Sequence, residues 1–516
     1  MWPGKAEDHV QALRPTKGEE DEGEDEEERC PACTTTQGDK RVWVACSHCG
    51  TWFHVVCVHV DRVDLYETWY CAPCLSDPAL HLEIKMRAPP RRSGRMRPTT
   101  DYAAIEEGKP IDPLGRWARL LAMYDTMLDT VRRVDGATWT SDWLAWSPDA
   151  LEAPVLVPAD AGAIPGMRVP PRCTTIRDVA EKVGVTTNVE VIDVQTQMSS
   201  NAWTLDEWAT YMETPAAERE RLLNVISLEV TGTPFETYVQ APQMVRESDW
   251  VERDWPCTRR PLATDASKWP KVQRYVLMGV QGAFTDFHID FAASYVYYHV
   301  VWGEKVFLFA PPTPANLAAY KAWSSSARQA SEWLGYALHD MMRVTIRAGE
   351  TMFIPAGWIH CVHTPQDTLV VGGNFLADYH VAMHWRLEEM EKATHVPRKF
   401  RFPHLVRLAW YVAYGWHTRH TQAPDMVLAP RVREGIAQLC KRLDVEVAWL
   451  AQPASTSKAA KAAHDAVPRD VVHDAPALVA SLRAWVATMS APALPSNKRR
   501  RRSSTTRTPA LGHAPS

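Results

Sequence analysis

Long apolar runs are missing from this sequence. No stretch of about 18 consecutive uncharged apolar residues, the shortest length that spans a bilayer, occurs among its 516 residues. Met1 is followed by polar and acidic residues, whereas a secretory signal peptide begins basic and continues apolar. We therefore expect no contact with a membrane and no secretory leader.

Cysteine is scarce outside one short segment. Seven of the eleven cysteines lie between Cys30 and Cys74, mostly in pairs separated by two residues, and the other four are scattered. Such clustering is typical of metal ligands in a reducing compartment and not of a disulfide framework.

No single sign of charge dominates the chain. The formal net charge is −5, yet residues 19–28 alone carry nine acidic side chains, so the remainder is weakly positive. Residues 78–113 are rich in proline and arginine, and residues 498–502 form a basic block. Both basic segments suit non-specific contact with DNA phosphates, or they are merely solvated, and the block also suits nuclear import. We expect a nuclear protein.

The middle of the chain has the pattern of an all-β core. Short β-branched and aromatic runs separated by Gly and Pro predict strands at 275–280, 296–301, 305–310, 343–346, 351–354 and 368–372. Strands so short and regularly spaced favour a double-sheet barrel or jelly roll. Helical spacing is present at 114–135 and 381–450, a helix running into a strand is predicted at 205–228, and one more helix is predicted near 477–489.

Eight possible zinc ligands are concentrated near the N-terminus. They are Cys30, Cys33, Cys46, Cys49, His54, Cys57, Cys71 and Cys74. Eight ligands satisfy two tetrahedral Zn(II) ions with no position open for water, so both sites would be structural. A module of about 48 residues cannot bury a sufficient core, so metal binding would supply its folding energy.

A different metal-ligand pattern lies in residues 285–290. In a strand, residues two apart point to the same face, so His288 and Asp290 can present an imidazole and a carboxylate to one metal ion. His360 offers the third ligand; His363 is its rival, but an offset of three residues turns these two side chains to opposite faces. Two histidines and one carboxylate leave three positions open, which suits Fe(II) with a bidentate 2-oxo acid and oxygen.

Two side chains are suited to hold the far carboxylate of 2-oxoglutarate as cosubstrate. Lys305 lies on the next predicted strand, where its ammonium can pair with that carboxylate, and Thr285 can add a hydroxyl donor. A buried lysine without an anion would be costly, whereas a lysine at a surface turn would need none.

The cysteine-rich segment resembles the plant homeodomain (PHD) finger in its ligand spacing and in the triplets Trp52-Phe53-His54 and Trp69-Tyr70-Cys71. The resemblance implies interleaved zinc sites: Cys30, Cys33, His54 and Cys57 hold one ion, and Cys46, Cys49, Cys71 and Cys74 hold the other. It also implies that Trp52 and Trp43 form walls of an aromatic cage for a methylated lysine. Arg29 and Gln37 stand where aromatic residues often complete such a cage, and a packed strand residue is the alternative role for Trp43.

Residues 224–376 resemble the JmjC domain of histone lysine demethylases. The matching segments are 224–229, 269–273, 285–290, 303–307, 357–360 and 372–376. The resemblance implies that Asn224 also contacts 2-oxoglutarate and that Tyr298 lines the pocket near the substrate. It favours His360 as the third iron ligand and implies a double-stranded β-helix (jelly-roll) oxygenase core.

The finger, the basic segment and this JmjC variant together resemble the JmjC domain-containing histone demethylation protein 1 family of fungi. This resemblance implies a nucleosome-directed enzyme that removes one or two methyl groups from lysine 36 of the histone H3 tail, releasing formaldehyde and succinate. The alternatives are a JmjC protein hydroxylase and a catalytically inactive chromatin reader or scaffold.

The predicted architecture is a multidomain α+β protein in which helices flank the jelly-roll core and both termini are disordered. Its segments are an acidic disordered region (1–29), the finger (30–77), a basic linker (78–113), a helical and strand lead-in (114–223), the catalytic domain (224–385), a helical region (386–490) and a basic disordered tail (491–516).

Overall fold

Two small two-stranded sheets lie in the first of the two units, Met1–Met96, into which the chain divides. Strand β1 (Trp43–Ala45) pairs with β2 (Trp52–His54), and β3 (Tyr66–Thr68) pairs with β4 (Lys85–Met86), both antiparallel. Helix α1 (Ala72–Ser76) lies between β3 and β4 in the chain. Among the described residues of this unit, the buried apolar side chains besides cysteines are those of Val44, Phe53, Val60 and Trp69.

The computed structural model describes residues 30–33, 43–60, 66–80, 82, 84–86, 119–194, 198–260, 269–326, 329 and 332–489. The predicted acidic region, most of the predicted basic linker and the predicted basic tail lie outside the described residues.

An antiparallel sheet forms the centre of the second unit, Arg97–Ser516. Its strands are β5 (Arg132–Arg133), β6 (Val155–Val157), β7 (Asn188–Asp193), β8 (Met198–Thr204), β9 (Leu223–Glu229), β10 (Tyr275–Gly279), β11 (Phe284–His288), β12 (Tyr295–Ala310), β13 (Met342–Arg347), β14 (Thr351–Ile354) and β15 (Ile359–Phe375). Their order is β5-β6-β14-β12-β15-β10-β9-β7-β8, with β11 paired to β15 and β13 paired to β12. All neighbours are antiparallel except β5 and β6.

Two long bent strands give the sheet its jelly-roll form. β12 pairs with β14 through its first residues and with β13 through its last, while β15 pairs first with β11 and then with β10. The register between β12 and β15 shifts three times between Val300 and Val306. Gly303 lies in this bend with φ +88, and a Cβ there would approach the Asp367 carbonyl oxygen to 2.2 Å. The predicted jelly-roll core is confirmed.

Two details of the predicted secondary structure differ. The strands predicted at 296–301 and 305–310 are one strand, β12, because the register shifts bend the chain without interrupting its pairing. The helix predicted at 114–135 is wrong within the described residues: only 119–122 are helical, and the chain reaches β5 by residue 132. Leu120 and Leu121 pack against the core from the short helical segment, and Tyr124 and Val134 do so from the non-helical chain after it.

Helices occur before, between and after the strands of this sheet in the sequence. They are α2 (Ser141–Trp146), α3 (Ile176–Val183), α4 (Leu205–Glu213), α5 (Gln243–Ser248), α6 (Trp250–Asp254), α7 (Pro314–Ser324), α8 (Val381–Ala393), α9 (Leu405–Gln422), α10 (Pro430–Leu450), α11 (Lys458–Ala466) and α12 (Ala475–Thr488). Helix α4 followed by β9 confirms the prediction for 205–228, and α8 to α10 and α12 confirm the C-terminal helical patterns. Helix α11 was missed since its alanine-rich sequence has only a narrow apolar face. Of the helices that the structure describes, none combines the length and apolar character needed to cross a bilayer.

Candidate functional site

Two imidazoles and a carboxylate meet where β11 and β15 are paired. His288 ends β11 and stands opposite His360, near the start of β15. One ligand atom from each of His288, Asp290 and His360 lies within 4.8 Å of the others, and the two imidazole centroids are 4.2 Å apart. The expectation that His288 and Asp290 share a strand is wrong, since the strand ends at His288. Asp290 retains a near-extended backbone, with φ −58 and ψ 144, and its carboxylate still joins the group.

The backbone fixes the protonation of both imidazoles. His288 Nδ1 lies 2.9 Å from the Asp286 carbonyl oxygen, and His360 Nδ1 lies 3.1 Å from that of Trp358. Because a carbonyl only accepts, each Nδ1 carries a proton, so Nε2 is the nitrogen of each ring through which a metal ion would be bound. Burial holds the pKa of His360 well below its usual range, so this imidazole is neutral.

Asp290 is half-buried, and the removal of its carboxylate from water raises its pKa against the opposing effects of the neighbouring His288 imidazole and of a hydrogen bond from the Asn374 amide. A bound divalent cation would offset that burial cost. The donor set, two imidazoles and one carboxylate, is one that binds Fe(II) with open positions. His363 lies outside the group.

Aromatic side chains of β12 lie beside His360. Phe307 and Phe309 lie with ring centroids 6.0 and 5.5 Å from His360, and Tyr298 meets Phe307 edge-on at 5.2 Å. Tyr298 is buried, and burial raises the pKa of its phenol far above the usual range, so the hydroxyl stays neutral. This wall makes the surroundings of the site apolar.

A buried cation lies nearby on β12. Lys305 is 4% exposed, and its Nζ donates to Thr364 Oγ1 at 2.7 Å. In the part of the chain that the structure describes, no carboxylate is paired with this ammonium, and burial lowers its pKa to about 7. A Cβ at Gly279 would lie 2.5 Å from Nζ, so glycine keeps the space beside the ammonium open. A carboxylate ligand fits here, because it would supply the missing counter-charge.

The two other predicted cosubstrate residues are in contact with each other. Asn224 Nδ2 donates to Thr285 Oγ1 at 3.3 Å, and β9 places Asn224 opposite Gly279. The Asn224 Oδ1 atom is buried and, among the described residues, has no hydrogen-bond partner. The uncompensated Lys305 ammonium beside Gly279 favours an anionic ligand in this space. The Asn224 amide can donate to such a ligand only through Nδ2, because its unpartnered Oδ1 is an acceptor.

Three residues of the site were missed at the level of sequence. Thr364 lies four residues after His360, so strand alternation indicates that it shares the face of His360. Asn374 donates to Asp290 Oδ1 at 3.3 Å and to Ser294 Oγ at 2.9 Å, but only its place in the matched segment 372–376 pointed to it. Gly279 had no sequence signal, because its importance lies in the space that it leaves.

The first unit brings its eight ligands together in two groups. Cys30, Cys33, His54 and Cys57 form one group and Cys46, Cys49, Cys71 and Cys74 the other, with ligand atoms within 4.8 Å in each. This is the partition that the PHD resemblance implied. Although burial acts to raise it, hydrogen bonds from Thr51 lower the pKa of Cys49 to about 6, whereas burial raises the pKa of Cys71 and of Cys74 in the same group. Four soft or borderline ligands in each group fit Zn(II).

The two predicted cage tryptophans stand on one face of the β1–β2 hairpin. Trp43 pairs with His54 and Ala45 pairs with Trp52, so the indoles are diagonal neighbours. The Trp43 ring contacts the His54 ring at 3.9 Å between centroids, a packing contact with a candidate zinc ligand. Trp52 is half-buried. Arg29 and Gln37 lie outside the described residues.

Removal of zinc is expected to unfold the first unit and spare the second. The first unit has few buried apolar residues, and structural zinc contributes about 10–16 kcal/mol of apparent folding energy in small modules. Calorimetry of the full chain with and without EDTA, together with a colorimetric zinc assay, should show loss of one transition with release of two ions per chain. Cys46→Ser should reproduce part of this loss, and Cys173→Ser should not. Transitions unchanged by chelation would contradict a structural role for zinc.

Comparisons with known proteins agree with this geometry. Residues 173–385 match the model of the Cupin-like domain family. The chain is 50% identical over 480 residues to JmjC domain-containing histone demethylation protein 1 of Mycosarcoma maydis, covering 80% of this chain and 71% of that protein. It is 39% identical to the protein of the same name from Yarrowia lipolytica, covering 74% of this chain and 75% of the relative. Lysine-specific demethylase 2A of Xenopus tropicalis is 43% identical over 48% of this chain and 22% of its own length.

Proposed function

Since the chain belongs to the JmjC domain-containing histone demethylation protein 1 family, we propose that it is an Fe(II)- and 2-oxoglutarate-dependent histone lysine demethylase. Its substrate is mono- or dimethylated lysine 36 of the histone H3 tail. One observation carries the proposal: His288, Asp290 and His360 converge within 4.8 Å of one another inside a jelly roll whose buried Lys305 lacks a carboxylate partner among the described residues.

In this proposal His288 Nε2, His360 Nε2 and an oxygen of Asp290 hold the iron. A bound iron would supply the oxidation of an N-methyl group by dioxygen, with 2-oxoglutarate as the co-reductant. One oxygen atom would go to the methyl carbon, which leaves as formaldehyde, and the other to the cosubstrate, which leaves as succinate and carbon dioxide. The chain's contribution is to orient these groups and to exclude water. Asn374 donates to Asp290 Oδ1 and so directs which carboxylate oxygen remains available.

The ammonium of Lys305 binds the far carboxylate of 2-oxoglutarate in this account. The Thr364 hydroxyl fixes the ammonium through its 2.7 Å hydrogen bond, and Gly279 leaves room for the carboxylate. Thr285 and Asn224 complete the contacts as hydroxyl and amide donors. A dicarboxylate is favoured over a monocarboxylate because both a cation and a metal site need an anionic partner.

Two aromatic surfaces contact the histone tail in the proposal. Tyr298 and the phenylalanine wall line the approach of the methylated lysine and keep the site dry. In the first unit, Trp52 and Trp43 offer indole faces to a methylated ammonium by cation–π attraction. The nuclear location and the contact with DNA rest on segments 78–113 and 498–502, which lie almost entirely outside the described residues.

The affinity for 2-oxoglutarate is expected to fall with rising pH. Burial lowers the Lys305 pKa to about 7, and only the ammonium pairs with a carboxylate. Binding raises this pKa, so affinity is full below about pH 7 and falls about tenfold per pH unit above it, up to the pKa in the complex. Calorimetry with Mn(II) in place of iron, in two buffers of different ionisation enthalpy, should also detect proton uptake at about pH 8. An affinity independent of pH, or a pH dependence that survives in Lys305→Met, would contradict this assignment.

Mass spectrometry of methylated peptides tests the function. Purified protein is incubated with Fe(II), 2-oxoglutarate and H3 peptides methylated at lysine 36 or at another tail lysine. Loss of a methylene's mass with release of formaldehyde, selective for lysine 36, is the expected result. Stable gain of one oxygen would indicate a hydroxylase, and no change in any peptide would indicate a reader or scaffold. Either outcome would overturn the proposal.

A further inference from the structure

The residues directly after Asp290 have a backbone conformation that L-amino acids rarely adopt. Ala292 has φ 48 and ψ 29, and Ala293 has φ 50; both are fully buried. In this left-handed region the Cβ of a non-glycine residue crowds its own backbone. Two consecutive alanines therefore remain in it only because the surroundings hold them there.

Helix α8 provides the groups that hold this turn. The Glu391 carboxylate accepts a hydrogen bond from the Ala292 amide at 2.8 Å. The His384 imidazole donates through Nδ1 to the carbonyl oxygens of Ala292 and Ala293, at 3.0 and 3.1 Å. His384 and Glu391 are seven residues apart and so lie on the same face of the helix, two turns from each other. Both are buried.

Helix α8 is itself fixed by the C-terminal helical region. The close approach of α10 requires Gly435, where a Cβ would lie 1.8 Å from the Asp378 carbonyl oxygen just before α8. The Val396 amide donates to the Glu391 carbonyl oxygen at 2.9 Å, and Phe402 meets Phe291 of the turn edge-on at 5.5 Å between centroids. Helix α8, which carries His384 and Glu391, is therefore itself held in place by the residues that follow it in the chain.

We propose that Glu391 and His384 are positioning residues for the metal centre. Through the strained Ala292–Ala293 turn they set the direction in which the chain leaves Asp290, and hence the position of its carboxylate relative to His288 and His360. The inference rests on the proposed metal site. In that site, the helical region after the jelly roll would keep the Asp290 carboxylate in place before a metal ion binds.

Glu388 provides a matched control on the same helix. It lies one turn before Glu391, is similarly buried, and forms an ion pair with Lys392. In the described structure it makes no hydrogen bond to the turn. A general effect of removing a buried carboxylate from α8 would appear in Glu388→Ala as well, whereas the positioning effect would not.

The test measures Co(II) affinity by visible absorption in the zinc-loaded full chain, with His360→Ala as the blank. Glu391→Ala is expected to weaken Co(II) binding about 10- to 100-fold, the range seen for groups that orient metal ligands. Glu391→Gln should bind Co(II) nearly as well as the unaltered protein, because its amide oxygen can still accept from the Ala292 amide. Glu388→Ala should also retain affinity.

A rescue variant separates positioning from loss of fold. Glycine adopts positive φ without strain, so Ala292→Gly with Ala293→Gly in the Glu391→Ala background should restore Co(II) affinity and thermal stability. Unaltered affinity in Glu391→Ala, or equal losses in Glu391→Ala and Glu388→Ala, would overturn the inference and leave the proposed function standing. Failure of the unaltered protein to bind Co(II) above the blank would instead remove the proposed metal site.

Discussion

Replacing His360 with alanine is expected to abolish demethylation, and replacing His363 is not. His360 joins His288 and Asp290 within 4.8 Å, whereas His363, three residues along the same strand, lies outside that group. Loss of a ligand should lower turnover by about a thousandfold or more, since a catalytic metal supplies several kcal/mol of stabilisation and each 1.36 kcal/mol is tenfold. Formaldehyde release from a methylated H3 peptide measures the effect.

Both variants need a parallel test of folding. The jelly roll should still unfold in one cooperative transition in His360→Ala, although at a lower temperature, because the substitution leaves a cavity beside Phe307 and Phe309 but deprives only the Trp358 carbonyl oxygen of a hydrogen bond in the described structure. Equal activity losses in the two variants would show that histidines of β15 act through the stability of the strand. Activity that survives in His360→Ala but not in His363→Ala would mean that His363, and not His360, is the third iron ligand.

Replacing Lys305 with methionine is expected to raise the KM for 2-oxoglutarate by about 30-fold or more while iron affinity is retained. Methionine keeps the length of the side chain but leaves the far carboxylate buried without a cation, which costs about 2–5 kcal/mol. A loss of about 2 kcal/mol corresponds to about 30-fold in affinity. Steady-state kinetics over a range of 2-oxoglutarate concentrations measures it.

Lys321, exposed on α7, is the matched control. Lys321→Met removes a charge of the same kind and should leave the KM unchanged. A KM in Lys305→Met equal to that of the unaltered protein would mean that the cosubstrate lies elsewhere. A large loss in both variants would indicate a general electrostatic attraction of the dianion and not a specific contact.

The parts of the site that could be predicted from sequence are those set by short-range spacing. Cys-x2-Cys pairs, His288 with Asp290, and the alternation that separates His360 from His363 all depend on local backbone geometry. The jelly roll could be predicted from the short β-branched and aromatic runs that Gly and Pro residues separate. Even so, the chain leaves β11 before Asp290, so the carboxylate is placed by the turn after the strand.

The features that could not be predicted depend on contacts between residues far apart in the chain, which the spacing of residues in the sequence does not reveal. Glu391 lies 99 residues from the amide of Ala292 that it binds, and no periodicity links the two. The bend that joins two predicted strands into β12 arises from register shifts against β15, which are a property of the pairing. The helical spacing at 114–135 was overridden by tertiary packing, since apolar residues in turns can meet the core as well as a helix can.

An anaerobic Fe(II) titration tests the central claim most directly. It uses the zinc-loaded full chain with 2-oxoglutarate present and follows the visible charge-transfer absorption of the metal with a chelating oxo acid. We expect saturation at one Fe(II) per chain, an absorption that requires 2-oxoglutarate, and its loss in His288→Ala, Asp290→Ala and His360→Ala. The same absorption in a variant lacking all three side chains, or none in the unaltered protein, would contradict the claim that these residues form one iron site.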